Sequence, residues 1–436
     1  MECITGKKVL VLSNNCFSLS NSNGRTLGNL FTGWPKENLA QFCISASDPD
    51  WEVCDNYYCL EDKNILKSFM KLQKAEGRRL DPRIVNNSAN YTSSYIGRKT
   101  VSKVILRELV WANNRWNSKS FRDWVDDFNP DMVLLQFGDT IFMLHIAYTI
   151  SKSRNIPLVI YNTEGYYFFS RNWHHATIWD NFIFNRYNAV YRRCVEKVME
   201  RAECCVYLNE KLKDDYDKAF AKWSIVIYNS SSVQGSEETL MDLDFPRMSY
   251  LGNLGLDRDS AIIEIGKVLK EINPSYKIDV YGKADADMEK RLNSADGVAY
   301  HGLVSYDKVK RVMTSSDILF HVETEKGYYE HQLQYAFTTK IADSLASGRC
   351  FIVYAPSDLA CCEYIKKYEC GWVASNKDEL KQVIIKIITD ADERMRVIKR
   401  AREISNMNHN LRANALKFQT TLLSLSNENF SNNTIL

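Results

Sequence analysis

The residues best suited to chemistry lie between Tyr335 and Val353, in the run YAFTTKIADSLASGRCFIV. A Thr-Thr pair opens an amphipathic pattern that ends at Gly348, and an apolar, strand-like run follows, so Thr338 or Thr339 is expected to cap a helix. The first turn of a helix offers unpaired backbone N–H groups and the positive end of its dipole, which suits a diphosphate. Lys340 adds a positive charge in that turn. Asp343, three residues on, puts an acceptor-only carboxylate on the same face, where it could receive ribose hydroxyls. Ordinary capping, with an acid favoured by the dipole, accounts for the same residues without a ligand.

Other candidates sit where apolar runs give way to polar turns. In YLGNLGLDRDS, Tyr250 to Ser260, Arg258 carries a guanidinium fork that fits phosphate oxygens; a surface pair with Asp257 or Asp259 is the plainer alternative. Lys283, which follows DVYG, is a similar cation. In SNSNGRTL, Ser20 to Leu27, Gly24 beside Asn23 would let backbone N–H groups approach a phosphate or sugar, while Arg25 reads as a solvated loop residue. Gln136, Asp139, Glu164 and Asn209 end further strand-like runs. Glu164, which precedes GYYFF, could orient an acceptor hydroxyl or take its proton, or simply cap the next helix. His174-His175 lacks further ligand spacing, and Asp242-Leu243-Asp244 and Asp285-Ala286-Asp287 read as solvated acids, so no metal is expected.

The elements that must hold these residues alternate. Strand-like runs at Val9 to Ser13, Met132 to Gln136, Leu158 to Tyr161, Cys204 to Leu208 and Ile225 to Tyr228 are separated by helical patterns such as Phe142 to Lys152 and Asn188 to Arg201. A second series follows: strands at Met248 to Leu251, Lys277 to Tyr281, Val298 to Tyr300, Ile318 to Val322 and Cys350 to Tyr354, with helices from about Ala261 to Ile272, Tyr306 to Met313 and Thr339 to Ser347. Such alternation predicts parallel sheets with crossover helices. The polar segment Asn229 to Leu240 is read as the junction, giving domains at 1–235 and 241–407. The last helical pattern, from about Asp390 to Leu425, is expected to cross back to the first domain through about 408–425, and the Asn/Ser-rich end, 426–436, to be disordered.

The 436 residues, 45% hydrophobic and 25% charged, are enough for two α/β cores. Lys plus Arg exceed Asp plus Glu by only 56 to 54, which gives no general attraction for nucleic acid. The 12 cysteines have neither zinc spacing nor a signal peptide ahead of them, and are expected to be reduced thiols in a cytoplasm. No run approaches the ~18 apolar residues of a membrane span, so any membrane contact is expected to be peripheral. The aromatic stretch Tyr166 to Tyr191, followed by RRCVEKVMER, could offer basic residues to anionic head groups or form a core helix with a charged face.

The Tyr335 to Gly348 stretch resembles the signature region of glycosyltransferase family 4 and related GT-B enzymes. There, two glutamates spaced like Tyr335 and Asp343 precede an Ala-Met-Ala-x-Gly-like run, matched here by Ser344-Leu345-Ala346-Ser347-Gly348. The second acid of that family holds the ribose, and the first contacts the donor sugar. Tyr335 brings no carboxylate to that slot, and Glu330 or Glu323 could supply one. The Tyr250 to Ser260 run resembles the first strand and loop of the family's donor domain, and Ser20 to Leu27 the glycine-rich loop of its acceptor domain.

The resemblance implies two facing Rossmann-like domains with a cleft between them. It places Asn253, Arg258, Lys283, Tyr335, Thr338, Thr339, Lys340 and Asp343 at the donor nucleotide, and Asn23, Gly24 and Asp139 at an acceptor or phosphate loop. Glu164, Arg258 and Lys340 would carry catalysis. The implied reaction moves a sugar from a nucleoside diphosphate sugar, a UDP-sugar, to a carbohydrate or lipid-linked oligosaccharide in bacterial surface-polysaccharide synthesis. It would proceed with retention and without a metal or other cofactor, in the cytoplasm or at the inner face of the membrane. A sugar-nucleotide epimerase and a non-catalytic nucleotide-binding scaffold share the same expected fold.

Overall fold

The computed structural model describes residues 6–82, 100–169, 178–233, 235, 241–324 and 333–425. His174-His175, Glu330, half of the expected junction and the 426–436 end lie outside them. The chain forms two compact units, one of residues 1–227 with 412–436 and one of 228–411.

In the first unit the strands are β1 (Val9–Asn15), β2 (Leu39–Ser45), β3 (Asn56–Cys59), β4 (Arg78–Arg79), β5 (Met132–Gln136), β6 (Leu158–Asn162), β7 (Ala202–Tyr207) and β8 (Ser224–Val226). Their order across the sheet is β4-β3-β2-β1-β5-β6-β7-β8. All neighbours run parallel except β3 and β4. The central strands are apolar on both faces, as VLVL in β1 and MVLL in β5, because crossover helices cover both sides. At the edge, β4 is two exposed arginines, a charged strand that discourages further pairing. Strand order reverses between β1 and β5, which opens a crevice at their carboxyl ends.

The core of this unit draws on a distant part of the chain. The helix Leu411–Ser424 sets Phe418 against Phe31, ring centroids 5.4 Å apart at 90°. Gln419 donates to the Leu30 and Thr32 carbonyls at 3.1 and 3.0 Å. Where one long pattern from Asp390 is expected, there are two helices, Ala391–Asn408 and Leu411–Ser424. The break falls where His409 Nδ1 meets the Asn229 carbonyl at 2.7 Å and Asn408 donates to Tyr364 Oη at 2.9 Å. These side chains are committed to tertiary partners, and Asn410 pairs as a bridge with Ser231.

The second unit holds β9 (Met248–Leu251), β10 (Ile278–Tyr281), β11 (Val298–Tyr300), β12 (Ile318–Val322), β13 (Cys350–Tyr354) and β14 (Trp372–Ala374). They form one parallel sheet ordered β11-β10-β9-β12-β13-β14. Its switch point lies between β9 and β12. The helix Arg258–Ile272 follows β9 and the helix Thr339–Ser347 precedes β13, so the cations of the sequence analysis gather at one end of the sheet.

Candidate donor site

Arg258 is the first residue of its helix, not a loop residue. Left-handed backbone at Leu256 (φ 61°) and Asp257 (φ 63°) turns the chain into the helix there, ahead of the expected start near Ala261. The side chain is buried, and its partner is neither neighbouring aspartate. Nε donates to Glu323 Oε2 at 2.9 Å and to the Val322 carbonyl at 3.2 Å. One terminal nitrogen lies 2.7 Å from the same carboxylate oxygen, and the other donates to the Gly255 carbonyl at 3.2 Å.

Glu323 stands just past the end of β12 and is only 2% exposed. Its backbone N–H donates to Tyr354 O at 3.1 Å, which fixes it against β13. His321, two residues earlier and therefore on the same face of the strand, places Nε2 3.3 Å from Glu323 Oε1. Burial works to raise the carboxyl's pKa, but the His321 and Arg258 contacts hold it below the ordinary glutamate value.

Lys340 is the second residue of the helix Thr339–Ser347, and its ammonium lies 5.7 Å from the centroid of the Tyr250 ring. It reaches over Gly252, where a Cβ would collide with Nζ, so only glycine leaves room for it. Burial first, then Arg258, lowers its pKa to about 8, against a smaller opposing pull from Glu323. Among the described residues this ammonium has no hydrogen-bond or ion-pair partner.

Thr338 occupies the N-cap with extended backbone (φ −80°, ψ 158°), yet its hydroxyl makes no capping bond and is enclosed without a partner. The start of the helix thus keeps its first amides free of side-chain caps, beside two cations.

The other donor-site candidates fall at differing distances from this centre. Asn253 shapes the loop: its carbonyl accepts from Tyr250 Oη at 2.7 Å, and its side-chain oxygen accepts from Gly255 N at 2.9 Å. Thr339 is half-buried in the first turn, and Lys283 is exposed just beyond β10. Tyr335 is buried. Asp343, also buried, accepts from Ser231 Oγ at 2.6 Å, so one carboxylate oxygen holds the segment that enters this unit.

In the first unit the candidates lie at the ends of β1, β5 and β6. Helix Ile178–Arg201 steadies the loop after β5, with Tyr191 Oη donating to Gly138 O at 2.8 Å and Tyr187 Oη to Asp139 O at 3.0 Å. Glu164 follows β6, its backbone N–H bonded to Asn162 Oδ1 at 3.0 Å. Burial, reinforced by the charge of Asp139, raises its carboxyl to about 7. Asn23 and Gly24 are part of a helix, Ser22–Asn29, and their amides are held by the Asn21 side chain at 2.9 and 3.1 Å. A Cβ on Gly24 would strike the Cys16 carbonyl and come within 2.8 Å of Ser18 N, so this glycine packs a helix onto the chain leaving β1.

Sequence reasoning had no place for His321 and did not foresee the Arg258–Glu323 pair. The available signal was HVE at the end of an otherwise apolar strand, where two ionisable side chains sit at the carboxyl edge of a parallel sheet.

Residues 258–404 match the family model for glycosyl transferases group 1. No curated protein sequence matches the chain. Among solved structures, Anabaena HepE in complex with UDP and glucose is similar with a TM-score of 0.60 at 14% identity, over 96% of this chain and 100% of that one. Sucrose-phosphate synthase from Thermosynechococcus elongatus is similar with a TM-score of 0.62 at 13% identity, over 95% of this chain and 97% of that one. WaaG, a glycosyltransferase involved in lipopolysaccharide biosynthesis, is similar with a TM-score of 0.56 at 11% identity, over 96% of this chain and 100% of that one. At these identities the likeness is one of fold. Residues 258–404 are thus similar to the group 1 glycosyl transferases, and the chain as a whole shares the two-domain GT-B fold of the solved structures.

Proposed function

We propose that the chain transfers a sugar from a UDP-sugar to a carbohydrate or lipid-linked oligosaccharide during bacterial surface-polysaccharide synthesis. One observation carries the donor half of this reading: among the described residues the Lys340 ammonium has no hydrogen-bond or ion-pair partner, and it stands beside Arg258 at the uncapped start of a helix. A buried cation without a counterion is costly, and a diphosphate supplies the missing charge and accepts from the free amides. HepE, whose complexes contain UDP and UDP-glucose, supports uridine as the base.

In this reading Arg258, Lys340 and the helix start stabilise the charge that develops on the leaving diphosphate, the term that dominates many such reactions. They supply positive charge from the protein itself, in keeping with a reaction that needs no metal. Departure of the diphosphate from a face the acceptor shares would give retention. Asp139 and Glu164 are the acceptor-binding groups, with Glu164 suited by its pKa of about 7 to exchange a proton near neutrality.

We assign the reaction to the cytoplasm or to the inner face of the membrane. No helix among the described residues is long and apolar enough to cross a bilayer. Peripheral contact is supported by exposed Phe182, Ile183 and Val190 on the helix that also carries Arg186.

Calorimetric titration with UDP, GDP and UDP-glucose tests the donor assignment. The expected result is binding of uridine nucleotides, weakened at least ~10-fold by Arg258→Ala or Lys340→Gln, a loss of about 1.4 kcal/mol or more. If no nucleotide binds the wild-type protein, the donor site is not where we place it.

A further inference from the structure

The group 1 domain contains a second layer of ionisable groups beneath the two cations. Arg258 has five N–H donors. The contacts to Glu323, Val322 and Gly255 use Nε–H and one N–H on each terminal nitrogen, so among the described residues each terminal nitrogen keeps one N–H unspent. The carboxylate that fixes the fork has a fully buried side chain, and its other oxygen lies 3.3 Å from His321 Nε2 without a hydrogen bond among the described residues.

We propose that Glu323 and His321 are positioning residues of the diphosphate site: Glu323 clamps the inner edge of Arg258 so that the free N–H pair meets the ligand, and His321 braces the far oxygen of Glu323. The proposal rests on the donor reading given above. A carboxylate set near a diphosphate would by charge alone oppose binding. Its retention beside Arg258 makes sense if holding a long, rotamer-rich side chain in one geometry outweighs the repulsion. Glu323 therefore acts on the ligand through Arg258, and its effect vanishes when Arg258 is absent.

A double-mutant cycle on the full chain, read by UDP titration, decides this. Glu323→Gln keeps the shape and removes the charge, and is expected to weaken UDP binding by ~10-fold. In an Arg258→Ala background the same substitution is expected to leave affinity unchanged or to improve it, since only the repulsion is then removed. Equal weakening in both backgrounds, or tighter binding by Glu323→Gln alone, would overturn the proposal.

A second arm uses His321→Gln and the pH dependence of UDP-glucose binding, a ligand whose diphosphate keeps its charge across the range. The groups facing Glu323 are Arg258, His321 on β12, Tyr250 on β9, Lys340 and Cys361. Loss of His321 removes one of the contacts that hold the carboxyl low, so the acid-side loss of affinity is expected to move to higher pH. An unmoved acid limb counts against His321, and this arm stands even if Glu323→Gln does not fold. Failure of the wild-type protein to bind UDP or UDP-glucose would sink the donor reading and this proposal together. Wild-type binding with additive substitutions would sink the proposal alone.

Discussion

At the level of single residues, the proposed chemistry turns on Lys340 and Glu164. Burial and the neighbouring Arg258 lower the Lys340 ammonium from 10.5 to about 8, so it sheds its proton as pH rises through that value. A diphosphate favours the charged form and raises the pKa again, which makes binding above pH 8 take up a proton. UDP affinity is therefore expected to fall as pH rises beyond about 8. Near pH 8.5 the heat of binding should change with the ionisation enthalpy of the buffer, a dependence that Lys340→Gln abolishes. A buffer-independent heat in the wild type would show that Lys340 does not titrate against the ligand. Glu164 has the opposite displacement, from 4.5 up to about 7, and is half protonated near neutrality. If its carboxylate receives a proton during turnover, kcat rises with pH through about 7. Glu164→Gln then removes that limb and lowers kcat by roughly 10²- to 10⁴-fold, with UDP affinity unchanged. An unaltered pH profile in the variant would exclude Glu164 as the group that titrates.

At the level of elements, the loops that leave β9 and β10 succeed because two glycines let chain segments touch. A Cβ on Gly282 would strike the Gly252 carbonyl, which is backbone, and come within 3.2 Å of Leu254 Cγ. A Cβ on Gly252 would instead meet the end of the flexible Lys340 side chain, with Tyr250 Oη at 3.0 Å. Gly282→Ala is thus expected to destabilise the unit by about 1–3 kcal/mol, seen in denaturant unfolding. Gly252→Ala should fold almost as well and lose UDP affinity by displacing Lys340. Equal stability losses in the two variants would refute this division. The same elements show what the sequence could tell. Apolar runs bounded by turns marked the central strands, and the Thr-Thr pair marked a helix start, because these signals are local. The Arg258–Glu323 pair was illegible because it joins the start of the helix after β9 to the end of β12, elements that meet only in the folded unit. The break after Asn408 was hidden for a related reason: helical periodicity continues through His409, and only its contact with Asn229 shows why the helix stops.

At the level of the whole chain, each unit has its own core, and the two cores draw on the sequence unevenly. The helix Leu411–Ser424 lies at the far end of the chain, after the whole of the second unit. Phe418 and Leu422 nevertheless belong to the core that contains Val9, Phe17, Phe31 and Trp34. Lys417 also donates to Val226 O at 2.9 Å, tying the helix to the end of β8. The proposed donor-site residues, by contrast, all lie within 228–411 and rest on a separate core of Met248, Ile262, Ile318 and Ile352. Phe418→Ala removes a fully buried ring from the first core and is expected to cost about 3–5 kcal/mol there. A ligand that binds only the native second unit stabilises that unit alone by mass action. Calorimetric unfolding with and without UDP should therefore resolve two transitions. Phe418→Ala should lower the one that UDP does not raise, while the UDP-sensitive transition and the UDP affinity remain as in the wild type. A single transition that UDP raises and Phe418→Ala lowers would mean that the two cores melt as one cooperative body, and the donor site would then depend on a helix with which it shares no core.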